Sequence, residues 1–322
     1  MDLPQTYFDK WLGRSRPLTT IAIAGLVLYG IAFLIGYLTY GLPDLFREGV
    51  WRAIFRAPTI ILYILLVGPR LNQLEAQVLA AISPLTALAE HELVILIQER
   101  ATDKPHYEWA SMGTGLLAGS LVVIVDGNLS WSWLSVYLLV STAVMGGLLA
   151  WIIYVSVLSV DYIAVLLKLP LHINLFNLSP FVTVGRQSLY LALAFAGGIA
   201  ISLFFVAIDL TFGQRLEFWL IYVPLLLMPV AIFFFNMYPT HQLIAAAKDE
   251  ELGKVRRHIP DLSSQLLNQF ARNEKDDTLN TTVTAVLTYE QRLQQISTWP
   301  YDIGMLRTLL FSIFLPLTAL FL

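Results

Sequence analysis

The stretch WSWLSVYLLVSTAVMGGLLAWIIYVSVLSVDYIAVLLK, residues 131–168, is apolar over almost its whole length. As an α-helix it would be about 57 Å long, whereas the hydrocarbon core of a bilayer is about 30 Å thick. Two short spans are one possibility. They would need turn chemistry near Gly146 and Gly147, but the neighbours of these glycines are apolar. The pattern therefore favours one long helix that crosses a membrane and continues beyond it.

The composition of the whole chain supports a membrane location. Hydrophobic residues make up 57% and charged residues 13% of the chain, whereas soluble domains average about 25% charged residues. We therefore expect a polytopic integral membrane protein, in the plasma membrane or another cell membrane. The absence of cysteine excludes disulfides, thiolate metal sites and cysteine catalysis. The net charge of −3 argues against a nucleic-acid partner.

Seven segments are predicted to span the bilayer, because a spanning helix needs roughly 20 mostly apolar residues. The second is the weakest, since Arg52 and Arg56 lie in its first turns. The predicted fold is an all-α bundle of seven transmembrane helices, formed by residues 18–40, 50–68, 111–125, 131 onward, 189–208, 218–237 and 303–322.

Lysine and arginine are distributed unevenly between these spans. If the N-terminus lies inside, the segments on the outer side hold only Arg47, Arg52, Arg56 and Arg215, and the segments on the inner side hold nearly all the other basic residues. Because loops on the cytoplasmic side carry the excess of basic residues, this bias predicts an inner N-terminus and an outer C-terminus.

Two long connections on the predicted inner side are patterned as helices. Residues 71–99 show helical spacing that breaks at Ser83–Pro84, and residues 245–295 continue the sixth span. We expect a single transmembrane domain, residues 1–322, with a cytoplasmic helical layer from residues 71–108, 155–186 and 245–298. Residues 273–277 are the only predicted exposed linker. The last helix of the layer carries one apolar stripe, Leu279, Val283, Val286, Leu293 and Ile296.

Motifs of chemistry are scarce. The chain has no Gly-rich phosphate loop, nucleophile elbow or paired His/Glu zinc motif, so we expect no enzyme activity, catalytic residue, metal site or cofactor. The string SPFVTVG, residues 179–185, contains half of a potassium-filter sequence. Arg186 follows where a filter needs an uncharged residue, so we expect a loop or re-entrant turn here, before the fifth span.

Small residues recur at four-residue steps in two spans. They are Ser111, Gly115 and Gly119 in the third span, and Ala194, Gly198 and Ser202 in the fifth. Small faces let helix backbones approach closely in lipid. Both faces are therefore predicted to pack against other helices.

The last predicted span carries a narrow polar stripe. Gly304, Thr308 and Ser312 lie at four-residue steps, with Asp302 as the expected N-cap. Pro316 has no backbone N–H, so it leaves the Ser312 carbonyl without its helical donor. Either another helix or the water of a pore could face this stripe. The candidate pore-lining residues are Gly304, Thr308, Ser312 and Pro316.

Two further candidate sites lie near the predicted outer ends of the spans. In an oligomer, acidic residues there would form rings that favour cations. Aromatic residues in the same region are candidates for a ligand pocket, although an interfacial aromatic belt explains them without any ligand and is favoured. The acidic mouth comprises Asp126, Asp209 and Glu217, and the aromatic set comprises Trp131, Trp133, Tyr137, Tyr190 and Trp219.

The seven-span topology with an inner N-terminus and a cytoplasmic helical layer resembles the insect odorant and gustatory receptor ion channels. The stretch DIGMLRTLLFSIF, residues 302–314, is similar to the opening of the last span in that family. The chain reads FLPLTALFL where gustatory members carry a Thr-Tyr and Gln-Phe signature. The resemblance implies a tetramer that is joined through the cytoplasmic layer, with the last span lining the pore.

The leading functional hypothesis is a homo-oligomeric, cation-conducting channel whose last helix lines the pore. Its partners would be the lipid bilayer, further copies of the chain, and inorganic cations or a small ligand. One alternative is a non-conducting sensor or scaffold that docks partners on its cytoplasmic helices. Another is a small-molecule or lipid transporter, against which the missing inverted repeat and missing mid-membrane charges count.

Overall fold

Helices make up nearly all of the described protein. The computed structural model describes residues 18–47, 50–86, 92, 95, 105–125, 132–206, 216–272 and 277–318. A short 3₁₀ turn, Ser83–Leu85, follows the second helix. The helices are α1 (Leu18–Arg47), α2 (Val50–Ile82), α3 (Pro105–Val125), α4 (Trp133–Leu166), α5 (Ser179–Val206), α6 (Leu216–Arg272), α7 (Asp277–Gln295) and α8 (Ile303–Thr318).

Six of these helices, α1 to α6, are long and apolar enough to cross a membrane. The chain is therefore an integral membrane protein built as an all-α bundle. Helix α8 is apolar but has 16 residues, which corresponds to about 24 Å. Its role as a seventh span, and the orientation of the bundle, stay predictions.

The long apolar segment forms one helix, Trp133–Leu166, as predicted. Helix α4 has 34 residues without a break, which corresponds to about 51 Å. The Ser132 hydroxyl accepts a hydrogen bond from the Ser135 backbone N–H at 3.2 Å and caps the helix. Gly146 and Gly147 lie inside α4, where they pack against α3 and form no turn.

Helices α3 and α4 are antiparallel and in close backbone contact. A Cβ atom added at Gly115 would overlap the Gly146 carbonyl oxygen, and one at Gly119 would overlap the Thr142 carbonyl oxygen. The Ser111 hydroxyl donates to the Ala150 carbonyl oxygen at 2.8 Å. The small-residue face predicted in the third span is confirmed as a helix-packing face.

Helix α2 runs parallel to α4 for most of its length. Near the start of both helices the Tyr137 hydroxyl donates to the Ile54 carbonyl oxygen at 2.9 Å, and near their ends Leu79 packs against Leu166. The distance along α2 from Ile54 to Leu79 is about 38 Å, which exceeds a hydrocarbon core of about 30 Å. Both helices therefore extend beyond the membrane at one end, the predicted inner end.

A separate hydrophobic core, here named the inner core, lies at this predicted inner end. It joins the ends of α2 and α4 to the start of α5, the middle of α6 and the end of α7. Along α6, Ile244 lies about 42 Å from Leu216, so this core is displaced from the spanning part of the bundle. Its fully buried members include Val78, Ile82, Val184, Ile244 and Leu293.

The prediction for residues 179–185 was wrong, because this segment forms the first turns of α5. Phe181 and Val184 are buried in the inner core. Pro180 lies at the start of the helix, where its missing N–H costs no hydrogen bond. The residues that resemble half of an ion filter are therefore a helix start, neither a filter nor a loop.

Helices α6 and α7 form an antiparallel hairpin beside the inner core. Lys248 donates to the Gln294 and Ile296 carbonyl oxygens, each at 2.8 Å, and Arg256 pairs with Glu290 at 3.0 Å. The predicted apolar stripe of α7 is confirmed, since its members are the less exposed positions of the helix. The predicted linker 273–277 lies almost entirely outside the described residues.

Candidate functional site

Helix α8 packs against the bundle by one face. Met305 and Leu309 are buried against Leu189 of α5 and against Phe233 and Met237 of α6. The Asp302 carboxylate accepts a hydrogen bond from the Met305 backbone N–H at 2.7 Å, so the predicted N-cap is confirmed.

The polar stripe of α8 lies beside this packed face. Gly304 and Thr308 are exposed and Ser312 is half-buried. The Thr308 hydroxyl donates to the Gly304 carbonyl oxygen at 2.8 Å, and the Ser312 hydroxyl donates to the Leu309 carbonyl oxygen at 2.7 Å. Helix α8 continues past Pro316, whose side chain lies outside the described part. The three described stripe positions thus share one side of α8.

The turn before α8 is fixed to the bundle. A Cβ atom added at Gly185 would overlap the Pro300 carbonyl oxygen, so α5 and this turn are in backbone contact. The Trp299 ring stacks on the His241 ring of α6, with 4.1 Å between centroids and 5° between planes. The N-terminal end of α8 therefore has a defined position relative to α5 and α6.

Among the predicted aromatic pocket residues that the structure describes, Tyr190 lies apart from Trp133 and Tyr137. Trp133 is 85% exposed at the start of α4. Tyr190 is 51% exposed and lies about 24 Å from Val206, which is the predicted outer end of α5. Tyr137 is bonded to the α2 backbone. Trp131 and the Trp219 side chain lie outside the described residues, so a pocket that involves them stays a prediction.

The predicted acidic mouth cannot be placed. Asp126 and Asp209 lie outside the described residues, as does the side chain of Glu217. Among the residues that are described, no three His, Asp or Glu side chains come together as a metal ion would require.

A cavity of about 430 Å³ lies within the bundle, between α2, α3, α4, α5 and α6. Its walls are almost entirely apolar, with Ile60 and Ile64 from α2, Met145 and Leu149 from α4, and Phe195 from α5. Such a volume and lining are typical of sites for small apolar or amphipathic molecules.

The small-residue face predicted on the fifth span lines this cavity. Ala194, Gly198 and Ser202 all belong to its wall. Across from them stands Tyr63 of α2, whose hydroxyl donates to the Ala194 carbonyl oxygen at 2.8 Å. The face packs against one aromatic side chain instead of a second backbone, and it leaves open space beside that side chain.

One end of the cavity is basic. Arg56 of α2 is the one charged residue among the described lining residues. Arg52 lies one helical turn before it, and the Arg52 Nε atom is buried with no hydrogen-bond partner among the described residues. The Arg52 guanidinium lies 5.4 Å from the centre of the Trp51 ring. Sequence reasoning found both arginines but did not connect them with a cavity.

A cluster of charged residues on α6 shifts the pKa values of two side chains. Hydrogen bonds from Lys254 to Glu251 and Glu250 raise the pKa of Lys254 above its ordinary value, and the same lysine lowers the pKa of Glu250. These groups are exposed, so solvent screens their interaction.

Comparisons with known protein families, with curated proteins and with solved structures find no match to this chain. Its function must therefore be inferred from its own residues.

Proposed function

We propose that the protein is a homo-oligomeric, cation-conducting channel in which α8 helices from several copies line the conduction path. The observation that supports it is the position of α8, which buries Met305 and Leu309 against the bundle and turns Gly304 and Thr308 outward. Identical helices that meet around an axis would present this stripe of hydroxyls and small residues to a shared path.

The interior of a single copy offers a poor alternative path. The cavity between its helices is lined by apolar side chains, and an apolar lining does not replace the hydration shell of an ion. Hydroxyl and carbonyl oxygens can do so. In the proposed channel, Thr308, Ser312 and the Ser312 carbonyl that Pro316 leaves free supply these oxygens.

Docking of the turn before α8 also supports the proposal. A pore helix must hold its position while ions pass. The contact of Gly185 with the Pro300 carbonyl and the stacking of Trp299 on His241 fix the point at which α8 begins. Movement of α5 or α6 would consequently be transmitted to α8.

Single cysteines test this arrangement directly, because the natural chain contains none. We expect Thr308→Cys and Ser312→Cys to react with a membrane-impermeant, positively charged thiol reagent and to lose most of their current in planar bilayers. Leu310→Cys is the matched control, since it lies about 200° around the helix from Thr308 and should neither react at that rate nor change the current.

Three results would contradict the proposal. One is a purified protein that is only monomeric in lipid nanodiscs. The second is equal reaction at positions 308 and 310, and the third is complete modification of position 308 with unchanged current. Each of the last two would remove α8 from the conduction path.

A further inference from the structure

The apolar cavity that is bounded by helices α2 to α6 is about as long as a lipid acyl chain. Its lining residues on α2 run from Arg56 to Leu71, a distance of about 22 Å along the helix. The hydrocarbon of one bilayer leaflet is about 15 Å deep, so one extended acyl chain fits. At about 430 Å³, the cavity is in the lower part of the range for small-molecule sites, which favours a single chain over two.

The cavity is open on its side. Val122 of α3 is 49% exposed, and Ile153 of α4 and Leu225 of α6 are also exposed, although all three line the wall. These residues belong to spanning helices, so the opening faces the bilayer. A ligand can enter laterally from the lipid without passing through water.

The basic end of the cavity favours a ligand with a negatively charged head group. An arginine near the membrane core needs a partner or water, and none of the described residues forms an ion pair or hydrogen bond with Arg56. Arg52, one turn away, has its buried Nε unpartnered within the same described set. Two guanidinium groups on one helix face bind carboxylate or phosphate oxygens well.

We propose that this cavity binds a single-chain anionic amphiphile, a fatty acid drawn from the surrounding leaflet. Its chain lies along the apolar wall from Ile60 to Leu71, and its carboxylate is bound by Arg56 with Arg52 beside it. The proposal rests on the cavity alone and holds whether or not the protein conducts ions.

Three ligands with the same chain and different head groups test the proposal. Purified full-length protein in phosphatidylcholine nanodiscs is photolabelled with a diazirine-bearing fatty acid, and the label is competed with oleate, oleoyl lysophosphatidate or oleyl alcohol. We expect oleate to compete at least tenfold better than the alcohol, with the label on residues of the cavity wall. Arg56→Gln should remove that difference by weakening oleate and leaving the alcohol unchanged, whereas Arg307→Gln, on α8, should change neither.

A second variant tests the chain site. A Cβ at Gly198 would have only the Tyr63 ring nearby, at 3.7 Å, so Gly198→Leu should fill the cavity and reduce labelling of the cavity wall by the diazirine-bearing fatty acid. Stronger competition by the lysophosphatidate than by oleate would overturn the assignment to a fatty acid. Equal competition by acid and alcohol, or label spread over α1 and α8, would indicate solvation by bulk lipid and overturn the site.

Discussion

Replacement of Gly115 by alanine is expected to lower the free energy of unfolding by about 2–3 kcal/mol. The added methyl group would overlap the Gly146 carbonyl oxygen and crowd the Ala150 Cβ. Neither obstacle is a flexible side chain, so the two helices must separate along their whole contact. Separation also weakens the hydrogen bond from Ser111 to the Ala150 carbonyl oxygen. Thermal unfolding in one detergent, followed by circular dichroism, measures the loss.

Gly113 provides the matched control on the same helix. A Cβ atom at this position meets no atom within 4 Å, so Gly113→Ala should leave stability unchanged or raise it slightly through better helix propensity. Equal effects of the two substitutions would mean that α3 and α4 are not in backbone contact in the membrane.

The two small-residue faces show which part of helix packing can be predicted from the sequence. Both have the same spacing, and both were predicted to pack. The face at Gly115 meets glycine on α4, whereas the face at Gly198 meets Tyr63 on α2 and borders a cavity. Small residues at four-residue steps indicate that another group can approach that face of the helix closely. The spacing does not indicate whether that group is a helix backbone, an aromatic ring or a cavity.

Two features of the fold were predictable because they depend on the length and the periodicity of apolar segments. An apolar run of more than 50 Å had to extend beyond the bilayer, and the apolar stripe from Leu279 to Ile296 had to pack against other helices. The start of α5 was not predicted because the Thr183–Gly185 string resembles part of an ion filter, although Ser179–Pro180 is an ordinary helix start. The cavity was missed because it is bounded by five helices that are far apart in the sequence.

Replacement of Leu293 by alanine is expected to cost about 3 kcal/mol. Leu293 is 0% exposed and lies in the inner core with Ile244 and Val184. Its loss leaves a cavity where α7 joins the ends of the spanning helices. Because α7 leads directly into the turn before α8, we expect faster hydrogen exchange in α7 and in residues 296–302, measured by mass spectrometry.

Leu287 on the same helix is the control, and it also tests the assembly. It is 48% exposed, so Leu287→Ala should cost well under 1 kcal/mol in a single copy. If detergent-solubilised monomers show this small loss while oligomers in nanodiscs lose as much as with Leu293→Ala, another copy covers that face of α7. Equal losses in the monomer would contradict the packing of α7. The pair of leucines therefore separates contacts within one chain from contacts between chains, which is the distinction on which a pore built from several α8 helices depends.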